Sequence, residues 1–233
     1  MIEDAAIRAI LRRAMLPMDG NIADHAEGIL AAVARVVPRD DWPALTCIDL
    51  TAGSCMLPLS FAAAGVRRVV INDTATRTIV AARGLFQGGA VDRALIERIL
   101  DRRKSRRRPH TPSFHFASDY LTAEICGVFD QLFHADVAPP AAATLRYLAL
   151  RHVLDFADPD DGFRILMTQD PKQLLADSET DWRDFVVRLD AGPERLLRLL
   201  DDITAGQAAI VTRDVTIHHG DMRDVASMID HRM

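Results

Sequence analysis

Four acidic residues follow short apolar segments of this sequence, and their positions favour the binding of a small polar ligand. Asp49, Asp73, Asp119 and Asp136 each end a segment with the length and composition of a buried β-strand. In open parallel sheets, ligands bind outside the carboxyl ends of the strands. The four carboxylates are therefore predicted to meet at one edge of a sheet.

The first of these acids opens a loop of small residues, Thr51, Ala52, Gly53 and Ser54. Small residues let the backbone approach a ligand closely, and the N–H groups of a following helix point to the same place. An ordinary strand-to-helix turn is the alternative. The loop is neither a G-x-G-x-x-G fingerprint nor a P-loop, which disfavours a nicotinamide-dependent oxidoreductase. Asp73 occupies a position that suits hydrogen bonding to a ribose diol, with a helix N-cap as the alternative.

Strands and helices are predicted to alternate around these residues. Strands at 46–50 and 68–71 enclose a helix at 56–64, and a helix at 74–86 follows. This alternation predicts an α/β fold, with a Rossmann-like, mostly parallel sheet and helices on both faces. Further strands are predicted at 113–117, 129–136, 163–168, 208–212 and 213–219, the last two paired antiparallel at the C-terminal edge. Further helices are predicted at 4–14, 22–37, 91–100, 141–156 and 182–202.

The composition favours one ordinary globular domain over residues 1–233. The apolar fraction of 49 % is enough for a sizeable core, and no apolar run reaches the roughly 18 residues that would span a bilayer. The acidic start lacks the pattern of a signal peptide, so a cytoplasmic location without membrane contact is expected. The three cysteines are expected to be reduced thiols. No metal site is predicted, since the adjacent His218 and His219 would point to opposite faces of a strand.

A basic run lies inside a short predicted insertion at about 87–112. Six of the seven residues 102–108 are Arg or Lys, although the net charge of the chain is −5. Contact with nucleic-acid phosphates is predicted, with a solvated loop as the alternative. The predicted contact residues are Arg103, Lys104, Arg106 and Arg107.

Together these motifs resemble those of the DNA adenine methyltransferases that modify the exocyclic amine and carry their cofactor motifs before the catalytic motif. The resemblance covers about residues 15–170 and rests on the order and spacing of the motifs. They are Met18-Asp19-Gly20-Asn21, Asp49 to Ser54, Ile71-Asn72-Asp73, Asp119 and Asp136 to Pro140.

The resemblance implies S-adenosylmethionine (SAM) as the cofactor. Gly20 and Asn21 would lie near its methionine carboxylate, Asp73 would hold the ribose hydroxyls, and Asp119 would accept from the adenine amine. The implied cofactor-binding residues are Gly20, Asn21, Asp49, Thr51, Ala52, Gly53, Asp73 and Asp119.

The resemblance also implies that Asp136, Pro139 and Pro140 form the pocket for the target amine. The family has an acid or Asn directly followed by Pro-Pro and an aromatic residue, whose ring stacks on the flipped base. Here two residues separate Asp136 from Pro139 if Asp136 is the acid, whereas Ala138 replaces the acid if Pro139 and Pro140 are in register. In either case Ala141 replaces the aromatic residue. The prediction is therefore a SAM-dependent methyltransferase acting on an amine of DNA or RNA. The alternative is a SAM-binding, non-catalytic subunit that needs a protein partner.

Overall fold

The structure of the chain is a computed structural model, which describes residues 23–101, 123–156, 182–210 and 214–225. We number its elements in chain order. The helices are α1 (Ala23–Ala34), α2 (Met56–Ala63), α3 (Thr76–Phe86), α4 (Arg93–Leu100), α5 (Ala123–Phe133), α6 (Pro139–Phe156) and α7 (Trp182–Ala209), with a 3₁₀ helix at Arg39–Ala44. The strands are β1 (Thr46–Asp49), β2 (Arg68–Asp73) and β3 (Asp214–His219). None of the described helices is both long and apolar enough to cross a bilayer.

The chain divides into two compact units. Unit 1 combines residues 1–89 with residues 202–233, and unit 2 comprises residues 90–201. The boundary falls inside helix α7. Unit 1 contains the three strands, whereas the described part of unit 2 consists of helices.

The sheet of unit 1 is parallel, with the order β1-β2-β3. Thr46 pairs with Arg68 and Asp49 pairs with Ile71, while Asp73 pairs with His219 across the other side of β2. The predicted strand–helix–strand–helix order of residues 46–86 is confirmed, and so is an α/β fold with a parallel sheet.

The core of unit 1 packs on the central strand. Val69 and Ile71 of β2 are fully buried, α2 contacts β1 and β2, and α3 contacts β2 and β3. Trp42 is also fully buried, and its indole Nε1 donates to Val37 O at 3.1 Å. The guanidinium of Arg39 lies 4.2 Å from the centre of the Trp42 ring, where a cation–π attraction adds to the burial.

The predicted antiparallel edge is wrong, because β3 runs parallel to β2. Ala208 and Ala209 were expected to belong to a first edge strand, but they end helix α7. Apolar residues at helical spacing, Leu196, Leu199, Leu200 and Ile203, are buried along that helix. The chain therefore returns to the sheet through a helix, and Asp214 N donates to Arg67 O at the amino end of the sheet. A helical return of this kind is typical of parallel strands.

The predicted strand at 129–136 is also wrong, since residues 123–133 form helix α5. Ile125, Val128 and Leu132 are buried and recur three and four residues apart, which is the period of a helix. Phe129 and Phe133, four residues apart, stack with ring centres 5.2 Å apart. Residues 129–136 contain only the last part of this helix, and its earlier buried residues, Ile125 and Val128, lie before the predicted strand.

Unit 2 is built on the packing of α5 against α6, with α4 against α5. Ile125, Leu132, Tyr147 and Leu148 are buried in it. His152 is also buried, which lowers the pKa of its imidazole to about 4. The side chain is therefore neutral at physiological pH.

Several predictions fall on residues outside the described ranges. These are the helix at 4–14, the strands at 113–117 and 163–168, Gly20 and Asn21, Asp119, and the basic residues Arg103, Lys104, Arg106 and Arg107.

Candidate functional site

The candidate site lies at the carboxyl edge of the parallel sheet in unit 1. Since all three strands run the same way, Asp49, Asp73 and His219 end them at this edge. The sequence predicted the meeting of Asp49 with Asp73, and the structure confirms it. The contribution of the C-terminal strand was missed, because an antiparallel strand would bring His219 to the opposite edge.

The loop after β1 is a tight turn fixed to the neighbouring strand. Thr51 N donates to Asp49 Oδ1 at 3.2 Å, and Ala52 N donates to Asn72 O at 3.0 Å. Cys55 N then donates to Ala52 O at 2.7 Å, which closes the turn just before helix α2. The predicted loop residues Thr51, Ala52 and Gly53 are therefore held beside the end of β2.

Two residues of this turn adopt left-handed backbone conformations. Gly53 has φ 52°, which glycine accepts readily, whereas Cys55 has φ 63° despite its side chain. A non-glycine residue in this region costs on the order of 1–3 kcal/mol. The Cys55 side chain is fully buried, with Sγ 3.9 Å from Thr78 O, and this packing holds the conformation. The left-handed turn directs the chain into helix α2.

Asp73 joins two loops through its carboxylate. Oδ2 accepts from Gly53 N at 2.9 Å, and Oδ1 accepts from Ala75 N at 2.8 Å. Hydrogen bonds from backbone N–H groups to an ionised carboxylate are among the stronger ones in proteins. The acid predicted to bind a ribose thus also fixes the loop after β1.

Asn72 fixes a third loop to the first two. Its side chain is fully buried, and Nδ2 donates to Leu50 O at 2.9 Å and to Gly220 O at 3.1 Å. Within the described residues, Oδ1 of Asn72 has no hydrogen-bond partner. A buried acceptor without a donor is costly, so this atom marks a place where a donor would be favoured.

The end of β3 packs against the turn that follows β2. Gly220 N donates to Asp73 O at 3.2 Å, and His219 Nε2 lies 3.0 Å from Thr74 O. From the sequence, metal binding is the only role for which His218 and His219 are candidates. The signal that could have identified His219 is its position at the end of a predicted strand, directly before Gly220, where a strand-to-helix turn begins.

The electrostatics of the edge are dominated by acids. Burial, and then the negative charge of Asp73, raise the pKa of the Asp49 carboxyl above its ordinary value, partly offset by the Thr51 N–H. Burial raises the pKa of the Cys47 thiol to about 12 and that of Cys55 still further, so both thiols are protonated. Neither Asp49 nor Asp73 forms an ion pair with an Arg or Lys of the described ranges.

The first turn of helix α2 also faces this region, because it continues directly from the loop. The side chain of its N-cap residue, Cys55, makes no capping hydrogen bond to the helix. The first N–H groups of an α-helix have no partner within the helix, and they attract anions. Because Pro58 has no N–H, the donors at the start of α2 are those of Met56 and Leu57. The edge therefore combines two carboxylates with a set of backbone donors.

The predicted catalytic residues belong to unit 2. Asp136 is exposed in the turn between α5 and α6, rather than at a strand end, and Pro139 and Pro140 are the first residues of α6. Proline is favoured in the first turn of a helix, because its missing N–H is not needed there. This explains the two prolines without a catalytic role.

Comparison of the chain with known protein families, with characterised proteins and with solved structures finds no match in any of the three. Among the residues described, no group of three or more His, Cys, Asp or Glu side chains is arranged to hold a metal ion. The chemistry of the edge itself is therefore the basis for a proposal.

Proposed function

We propose that the protein binds SAM in a Rossmann-like fold and transfers its methyl group to an amine of nucleic acid. One observation carries the proposal. The small-residue loop after β1 is fastened through Gly53 N to the acid that ends β2, at the carboxyl edge of a parallel sheet. This is where nucleotide-like ligands bind in open α/β sheets.

The charge of the edge suits SAM better than a dinucleotide. SAM carries positive charge on its sulfonium and ammonium groups, and Asp49 and Asp73 offer carboxylates without an Arg or Lys partner from the described chain. A bound cation would stabilise the ionised form of Asp49, whose pKa is raised in its absence. A pyrophosphate beside two carboxylates would be repelled.

The residues present also fit the remaining parts of the molecule. The carboxylate of SAM is suited to the uncapped N–H groups of Met56 and Leu57 at the start of α2. Each oxygen of Asp73 accepts one backbone hydrogen bond and keeps capacity for a ribose hydroxyl. When bound, SAM supplies an electrophilic methyl group on sulfur, and the task of the protein is to orient that group and exclude water.

A second candidate function is a SAM-binding subunit without transferase activity of its own. The observation that favours it is the position of Asp136 on an exposed turn between two helices. With Ala141 in place of an aromatic residue, the segment also lacks a ring to stack on a target base. A protein partner would then supply the catalytic residues.

Isothermal titration with SAM tests the binding proposal. Wild type should bind, whereas Asp73→Ala should bind at least tenfold more weakly, because the substitution removes both the ribose acceptor and the anchor of the loop. Asp214→Ala is the matched control. It removes an acid at the amino end of the same sheet, where Asp214 pairs with Arg68 at 3.2 Å. Absence of SAM binding by wild type would overturn the proposal, and circular dichroism would check the fold of each variant.

Radiolabelled SAM distinguishes the two candidate functions. Methyl transfer to DNA or RNA by the chain alone, lost together with SAM binding in Asp73→Ala, would support the methyltransferase. Tight SAM binding with no transfer to either polymer would favour the non-catalytic subunit. The two results exclude each other for the isolated chain.

A further inference from the structure

We propose that the turn after β3, His219–Met222, completes the ligand site and binds the nucleoside part of the ligand, with the His219 ring as a hydrogen-bond acceptor. The inference rests on the proposed function, since it takes the ligand to be SAM or its demethylated product. It assigns a binding role to the C-terminal strand, which the sequence motifs did not include.

The register of the sheet brings this turn next to the ribose acid. Asp73 and His219 are partners across β2 and β3, and Gly220 N donates to Asp73 O at 3.2 Å. Asn72 Nδ2 binds Leu50 O and Gly220 O together. A ligand that lies across the ends of β1 and β2 and extends further would therefore meet the end of β3 next.

The hydrogen bond of His219 fixes what its ring can offer. Nε2 lies 3.0 Å from Thr74 O, and a carbonyl oxygen only accepts, so Nε2 must carry a proton. In the neutral ring Nδ1 is then an acceptor, and the His219 side chain is exposed. The ribose hydroxyls and the exocyclic amine of a nucleoside are donors of the kind that Nδ1 would bind.

The rest of the turn leaves room for such a ligand. A side-chain carbon added at Gly220 would meet no atom within 4 Å. Met222 is 49 % exposed and is one of two large apolar side chains that stand out on the described surface, the other being Val36. A methionine sulfur and its methylenes pack well against an aromatic base.

Asp221 is less suited than His219 to receive the ligand, although it is the acid of the turn. Its Oδ1 accepts from Arg223 N and Nε, each at 2.9 Å, and its Oδ2 accepts from Arg223 Nη2 at 2.7 Å. These contacts cap the helical turn at 222–225 and lower the pKa of the Asp221 carboxyl. The imidazole of His219 is thus the acceptor that the turn keeps available.

Two substitutions of His219 separate the roles of its ring nitrogens. A glutamine amide falls near Nε2 and an asparagine oxygen falls near Nδ1. We expect His219→Gln to keep the bond to Thr74 but to bind S-adenosylhomocysteine about three- to tenfold more weakly by titration calorimetry, which is one neutral hydrogen bond. His219→Asn should retain more of the affinity. His218→Ala is the matched control, because alternate strand residues point to opposite faces and its affinity should not change.

Ligand analogues identify the donor on the nucleoside. S-inosylhomocysteine lacks the exocyclic amine, and the 2′-deoxy and 3′-deoxy analogues each lack one ribose hydroxyl. Each analogue is titrated into wild type and into His219→Gln, as in a double-mutant cycle. If an analogue binds the two proteins equally well, the group it lacks is the one that Nδ1 binds. Additive reductions in affinity for all three analogues would contradict the inference.

The possible results separate this inference from the proposed function. If wild type binds neither SAM nor S-adenosylhomocysteine, the proposed function fails and the inference fails with it. If wild type binds and His219→Gln binds equally well, the inference alone is overturned. If His219→Gln does not fold, two-bond ¹H–¹⁵N spectra of wild type decide: the Nδ1 resonance of His219 should shift on addition of S-adenosylhomocysteine, and an unchanged resonance would reject the inference.

Discussion

At the scale of single residues, Asn72 and Asp73 hold the three loops of the carboxyl edge. Asp73 binds the loop after β1 and the start of α3, while Asn72 binds Leu50 O and Gly220 O. Hydrogen bonds from backbone N–H groups to the Asp73 carboxylate are each worth about 1.5–3 kcal/mol. Two adjacent residues therefore set the geometry of any ligand that binds there.

Asp49 provides a pH-dependent test of this electrostatic description. Because its pKa is raised in the folded protein, ionised Asp49 destabilises the fold, and this cost disappears as the pH falls below the ordinary value of 3.8. We expect Asp49→Asn to raise the thermal midpoint of unfolding at pH 7, since Oδ1 can still accept from Thr51 N. The gain should shrink as the pH is lowered through the pKa of folded Asp49.

Scanning calorimetry between pH 3 and pH 8 measures both effects. Asp40→Asn, at an exposed position of the 3₁₀ helix, is the control and should leave the midpoint at pH 7 close to that of wild type. A midpoint for Asp49→Asn that is equal to or below that of wild type at pH 7 would contradict the burial of a charged group. The same variant should bind SAM more weakly, because it removes one of the two carboxylates of the edge.

At the scale of elements, Gly65 fixes where helix α2, which follows the site loop, ends. Gly65 follows the end of α2 with φ 107°, and its N donates to Ala62 O at 3.2 Å. A left-handed residue at this point ends a helix and satisfies its last carbonyl groups. The chain then enters β2 within three residues, so a short connection joins α2 to the strand that ends in Asp73.

Alanine substitutions at two glycines with equally open surroundings, Gly28 and Gly65, should have opposite effects on stability. A side-chain carbon at Gly28 or at Gly65 would meet no atom within 4 Å. Gly28 lies inside helix α1, so Gly28→Ala should raise the free energy of unfolding by about 0.5–1 kcal/mol. Gly65→Ala should lower it by at least about 1 kcal/mol, since its positive φ strains any other residue.

Urea unfolding followed by circular dichroism measures the pair under the same conditions. Because neither added methyl group makes a contact, the difference between the two changes in the free energy of unfolding reports backbone conformation alone. A stabilising effect of Gly65→Ala would contradict the left-handed turn at the end of α2.

At the scale of the whole molecule, unit 1 is assembled from the two ends of the chain. Residues 202–233 join residues 1–89, and β3 pairs with β2 across the 140 or so residues that separate them in sequence. Unit 2 is a continuous segment whose described part is helical. The carboxyl edge is therefore complete only when the C-terminal strand has joined the sheet.

The basic run at 102–108 predicts binding to nucleic-acid phosphates, although the net charge of the whole chain is −5. The residues to change to glutamine are Arg103, Lys104, Arg106 and Arg107. For duplex DNA, each phosphate that the variant no longer neutralises should reduce the slope of log affinity against log salt by about 0.9. Fluorescence anisotropy with a short duplex at several salt concentrations measures the slope.

Exposed arginines elsewhere provide the comparison for that measurement. Changing Arg35 and Arg67 to glutamine lowers the charge outside the run, and the salt slope should stay close to that of wild type. An equal slope for wild type and the variant of the basic run would reject the predicted phosphate contacts.

Strands β1 and β2 and the helices that follow them can be predicted from local sequence patterns. Short apolar strands, small-residue turns and helical periodicity are local signals, and they place Asp49, Gly53 and Asp73 without knowledge of the rest of the chain. The same local patterns misread 129–136, because a strand and a short piece of an amphipathic helix can show the same few apolar residues. Asp136 was assigned to the edge of a sheet for that reason.

The direction of β3 and its pairing with β2 follow from the folded sheet and not from local sequence. Strand pairing depends on contacts between residues far apart in sequence, so no local pattern distinguishes a parallel from an antiparallel β3. Its parallel register brings His219 beside Asp73 and lets Asn72 bind Gly220 O. Asp49 and Asp73 can be predicted from the sequence as neighbours at this edge. The position of His219 beside Asp73 depends on the parallel pairing of β3 with β2.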